Sequence, residues 1–94
     1  MKSLASSETE LVGRWETVQG RMTADETAQR IEWLVEHELS HVGSDDSGWN
    51  NLYRDPSTGR YWELTYPQSE MHGGGPPKLA CLDEEEARKK YELR

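Results

Sequence analysis

Phenylalanine is missing from these 94 residues, cysteine occurs once, and no apolar run reaches the length of a signal peptide or a membrane span. Each absence removes a class of protein. A lone Cys81 excludes an internal disulfide, and the want of an apolar opening points to a soluble, cytoplasmic chain. Neither common phosphate-binding glycine loop is present, nor the G-x-S-x-G turn that raises a serine nucleophile. Basic residues are short as well, 11 against 18 acidic ones for a net charge of −7. That balance argues against nucleic acid or an anionic membrane surface as the direct partner and suits a basic protein. Without phenylalanine, the large rings are four tryptophans and four tyrosines, each with a polar handle fit for a core edge or an interface. A chain of this length holds one domain with a modest core.

The organising stretch is Arg60 to Pro77. Tyr61, Glu63 and Thr65 alternate with Trp62, Leu64 and Tyr66, the period of a pleated strand, and Pro67 closes it. Gly73, Gly74 and Gly75 with Pro76 and Pro77 then make a shaped loop, either a tight structural crossing or a binding surface. This strand is expected at the centre of the sheet.

In chain order, residues 1–9 read as a polar, flexible leader ahead of a single domain over residues 10–94. Leu11 to Val18 reads as a first strand, with a turn at Gln19-Gly20. Thr23 followed by Glu26 has the form of a capping box and predicts a helix from Ala24 to about Leu39. Ala24, Ala28, Ile31, Leu34, Val35 and Leu39 make its apolar sector, and Asp25, Glu32 and Glu36 an acidic stripe beside it. Trp33 falls outside the sector, as a ring covered by another segment or as an exposed anchor; the cost of leaving tryptophan bare favours the first. Val42 begins a short strand, Gly43 to Gly48 is a turn, and a further strand runs from Trp49 to Arg54. Asp55 to Gly59 links it to the Arg60 strand as a hairpin. Lys78 to Leu82 predicts one more strand, and Asp83 caps a last helix with acids first and bases later. The pattern is α+β: a small, mostly antiparallel sheet on one main helix, with a short C-terminal helix.

Three motifs carry chemistry elsewhere. His37-Glu38-Leu39-Ser40-His41 fits H-E-x-x-H, in which two histidines one helical turn apart bind zinc. Gly43 follows at once, which places His41 at a fraying helix end, and a third ligand must come from afar, such as His72 or Glu63. His72-Gly73-Gly74-Gly75 has the letters of an oxyanion loop without its nucleophile. Cys81, within Leu79-Ala80-Cys81-Leu82, reads as a small buried side chain. A zinc-dependent hydrolase using His37 and His41 is therefore one alternative, and a non-catalytic self-associating domain another.

From Thr23 to Asp55 there are eight carboxylates and two arginines, so this third of the chain holds most of the net charge. It is either a solvated helix face or a partner surface. Arg30-Ile31-Glu32-Trp33-Leu34, Asp46-Ser47-Gly48-Trp49, Leu52-Tyr53-Arg54-Asp55-Pro56, Gly59 to Glu70 and His72 to Pro77 together resemble immunity protein 27, over about Leu11 to Tyr91. Members of that family accompany bacterial polymorphic toxins. The resemblance implies an α+β immunity protein that binds a cognate toxin domain and protects the producing cell; no cofactor and a monomer or weak homodimer are expected, and a basic nuclease would suit the charge. On that view Asp25, Glu32, Glu36, Asp45 and Asp46 attract the toxin. Trp33, Trp49, Tyr66 and the loop of Glu70, His72, Gly73, Gly74 and Gly75 give specificity.

Overall fold

A strand that alternates polar and apolar residues buries both faces only when something packs on each side of the sheet, and the central strand here meets that condition. The computed structural model describes residues 1–68 and 75–93. In chain order it contains β1 (Glu10–Val12), β2 (Trp15–Val18), β3 (Arg21–Ala24), α1 (Glu26–Trp33), a π-helical turn (Leu34–Glu38), β4 (Ser40–Ser44), β5 (Asn51–Arg54), β6 (Tyr61–Thr65), β7 (Lys78–Leu82) and α2 (Glu84–Tyr91). β6 is the middle strand of a five-stranded antiparallel sheet ordered β1-β7-β6-β5-β4, and β2 and β3 form a separate hairpin. The α+β class and the central position of the Tyr61 strand both hold.

One face of the sheet buries Leu11, Trp62, Leu64 and Leu79 against Ile31, Leu34 and Leu39. Trp62 and Leu79 are fully enclosed. Burying side chains of this size stabilises by roughly 1.5–3 kcal/mol each. The other face packs Leu52, with Tyr61 and Leu82 beside it, on Ala87 and Tyr91 of α2. Glu63 also points to this second face, where Tyr91 Oη donates to it at 2.7 Å and Lys90 Nζ lies 2.6 Å away. Burial and the neighbouring Glu63 carboxylate push the Tyr91 hydroxyl well above its ordinary range.

The single strand expected over Leu11 to Val18 is two strands in two sheets. Gly13 is where they part: its N–H donates to the Pro77 carbonyl at 2.8 Å. A Cβ there would lie 2.7 Å from that oxygen and 2.9 Å from Ala28 Cβ, so the crossing admits only glycine. The β2–β3 turn is as expected, with Gln19 at φ 52° and Gly20 at φ 78°, the left-handed pair whose twist suits a hairpin.

The helix begins later than the capping box predicts. Asp25 is the N-cap, its side chain accepting from Ala28 N at 2.8 Å, while Thr23 is paired with Glu16 in the hairpin and Ala24 with Trp15. Aspartate is the better cap, and the ladder has already claimed the threonine. At the other end the helix widens into the π turn, Leu39 N bonds Leu34 O at 2.8 Å, and Leu39 itself is extended. Ala28, Ile31, Leu34 and Leu39 are buried as the apolar sector requires.

The Asp55–Gly59 hairpin loop and the Asp83 cap follow the sequence closely. Asp55 is buried and accepts from Ser57 N and Ser57 Oγ at 2.9 and 2.7 Å, and Asp83 accepts from Glu86 N at 2.8 Å. Residues 1–9 form no helix or strand. Arg30 holds them by bonding both Glu8 oxygens at 2.8 Å and the carbonyls of Lys2 and Ser3, and Arg60 reaches the carbonyls of Ala5 and Glu8. No helix among the described residues is long and apolar enough to cross a membrane.

Candidate functional site

The register of the sheet decides which connections meet. Ser44 pairs with Asn51, Asn51 with Leu64, Thr65 with Lys78 and Val12 with Lys78. The 45–50 turn, the connection after β6 and the exit to the β2–β3 hairpin therefore leave from one end of the sheet. Asp45, Asp46, Trp49, Tyr66 and Gly75 share that end, while Glu70, His72, Gly73 and Gly74 lie outside the described residues. Gly75 serves the packing of this crossing, since a Cβ on it would clash with the Gln68 carbonyl oxygen. Beside it is a cleft of about 390 Å³ between the hairpin, at Trp15 and Met22, and the prolines Pro67 and Pro77.

Asp45 builds the turn that presents Trp49. Its Oδ1 accepts from Ser47 Oγ at 2.6 Å and from the Ser47 and Gly48 amides at 3.1 Å, and its Oδ2 from Asn50 Nδ2 at 2.6 Å. Gly48, at φ 78°, supplies the left-handed residue the turn needs. The Ser47 hydroxyl, then Asn50, hold the Asp45 carboxyl below the usual carboxylate range, so it keeps its charge while its lone pairs are spent locally. Trp49 N donates to Ser47 Oγ at 3.1 Å, and its side chain projects, leaving the residue 69% exposed. Asp46 is exposed next to it.

The rest of the expected acidic surface runs from the cap of α1 through the π turn, and its members play different parts. Asp25 is consumed as the helix cap, also accepting from Arg14 N at 3.2 Å. Glu32 and Glu36 are exposed. Trp33 is half-buried against the core, as the covered-ring reading expects, with the His37 ring 6.1 Å away. Across β4 and β5, His41 meets Tyr53 edge-on at 5.3 Å, and His41 Nε2 lies 3.0 Å from Asn51 Oδ1, which also accepts from Ser44 Oγ. Burial raises the Tyr53 hydroxyl, with a smaller push from Tyr66.

This arrangement breaks the H-E-x-x-H motif. His37 is in the π turn and His41 in β4, with the extended Leu39 between them, so the two rings do not share a helix face. Glu63, a proposed third ligand, is on the opposite side of the sheet and is held by Tyr91 and Lys90. His72 lies outside the described residues, and among those described no group of three His, Cys, Asp or Glu is placed to hold a metal. Cys81 is partly buried against the core, a free thiol.

Sequence reasoning missed the exposed hairpin, where Val18 and Met22 are bare, and the Glu63–Tyr91–Lys90 contact. The first had a signal in Gln19-Gly20 between two short β-prone runs; the second joins residues too far apart in sequence to leave one.

In comparison with known proteins, the family model of immunity protein 27 matches residues 17–83. The match runs from β2 to the cap of α2 and takes in α1, the Asp45 turn and β4 to β7. No curated protein and no solved structure matches the chain. With well over half its length matched by that model, the chain belongs to the immunity protein 27 family.

Proposed function

We propose that this protein neutralises a cognate toxin domain in the cytoplasm of the cell that makes both, by occupying the toxin's active site with an acidic surface. The single observation that carries this reading is the family match, and the geometry agrees with it. Trp49 projects from a turn made rigid by the Asp45 hydrogen bonds, with exposed Asp46 in the same turn, while Glu32 on α1 and Glu36 in the π turn before β4 are exposed as well. A large ring held in place loses little freedom on binding, and exposed carboxylates on the same protein raise the encounter rate with a basic partner. Inhibition of this kind needs no bond-making by the inhibitor. A nuclease fits the charge, since its own site must attract phosphate.

The experiment is co-expression with the toxin domain encoded beside this chain's gene. Growth should be restored, and Trp49→Ala should weaken the purified complex by more than tenfold, the range of an interface anchor. A toxin that stays lethal and does not bind the purified protein would overturn the proposal.

A further inference from the structure

β4 is the outer strand of the sheet, with β5 on one side and no strand on the other among the described residues. Ser40, His41, Val42 and Ser44 are all exposed. Natural edge strands are usually blunted by lysine, proline, an inward charge or a bulge; Ser-His-Val-Gly-Ser has none of the first three, and its one such feature is the register shift between His41 and Gly43, which leaves the Ser44 end regular. Its backbone is oriented to accept a neighbour. Asp45 N points inward and bonds Asn50 O at 3.1 Å, so by the alternation of an antiparallel ladder Ser44 N faces outward.

The charges around this edge select the occupant. Glu36 and Glu38 precede β4, and Asp45 and Asp46 follow it, so an uncharged strand is bracketed by carboxylates at both ends. The cation nearest in the ladder, Arg54, is one strand further in, opposite Ser40. A second copy is poorly matched: antiparallel pairing of two β4 strands about Val42 would set Asp46 of each against Glu38 of the other, and like charges directly opposed are destabilising. An extended segment with basic residues at both ends meets the opposite pattern.

We infer that β4 is a docking edge to which a basic, extended strand of the toxin domain adds, making the sheet six-stranded, with main-chain bonds supplying affinity and the flanking carboxylates the register. This rests on the neutralisation reading above and refines it, for the strand lies between the two groups of exposed acids assigned to the toxin there.

The test uses the purified full chain and the toxin domain encoded beside its gene. Ser44→Pro removes the outward N–H but leaves the β4–β5 ladder, and Ser44→Ala controls for the lost hydroxyl. Proline should weaken the complex by at least tenfold and alanine by less than about threefold, as expected where main-chain bonds hold a peptide strand. Hydrogen exchange should show the outward-facing Ser44 amide gaining protection in the complex. If Ser44→Pro fails to fold, Asp46→Lys together with the exchange data decides the matter. A complex that forms with the Ser44 amide unprotected and indifferent to Ser44→Pro overturns docking at the edge and leaves the immunity reading intact, whereas no complex at all overturns both. A β4-mediated dimer in sedimentation of the free protein also overturns it.

Discussion

The face of the sheet under α1 has two halves that were built from the same alternation and ended differently. Over β1, β7 and β6 the helix and the leader close it, with Leu11, Leu79 and Trp62 enclosed. Over β5 and β4 it carries Tyr53, Asn51, His41 and Ser44, half-buried or exposed and joined by ring and hydrogen-bond contacts. Burial and polarity follow each other along the sheet. The closed half supplies stability, and the open half carries exposed polar residues that stabilise little.

The sharpest way to break this contrast is to truncate one residue from each half. Leu79→Ala should cost about 2–5 kcal/mol in urea unfolding, while His41→Ala should stay within about 0.5 kcal/mol. Equal losses would erase the distinction. On the opposite face, Glu63→Ala leaves the Tyr91 hydroxyl without its acceptor and should cost about 1–3 kcal/mol, with Glu63→Gln milder because it still accepts. The weakest effect concerns the clasp over the closed half. Arg30, by hydrogen bonds first, holds the Glu8 carboxyl down to about 2 from an ordinary 4.5. A carboxyl depressed on folding contributes stability in full above its unfolded value and loses it as pH falls through the folded one. The contribution, about 1 kcal/mol for a partly exposed pair, is therefore present above pH 4.5 and fades toward pH 2. Acid titration of Glu8→Gln should lack that component.

Most of the sheet was legible because Tyr61 to Thr65, Lys78 to Leu82 and the Asp55–Gly59 loop combine alternation with strong turn residues. The two failures on the first thirty residues have one cause. Propensity treats Leu11 to Val18 as continuous, but Gly13 must turn where Pro77 and Ala28 crowd it, and that contact joins distant parts of the chain. Thr23 then pairs across the hairpin and leaves the cap to Asp25. The candidate surface was legible in part: exposed Trp49 and Asp46 follow from local turn chemistry. That Asp25 and Asp45 would be occupied by the backbone and Ser47, and that a bare edge would lie between the acids, depended on strand order, which no local signal carries.

If the β4 side, and not acidity in general, meets the toxin, a pair of charge-matched variants separates the two. One is Glu36→Lys with Asp46→Lys on that side, and the other Glu85→Lys with Glu86→Lys on α2, where both residues are also exposed. Each changes the net charge alike, so long-range attraction falls by a similar amount while close contacts differ. Titration of the cognate toxin domain should show the first variant bound at least about tenfold more weakly than the second. Equal losses, or a larger loss for the α2 variant, would contradict a toxin contact centred on β4.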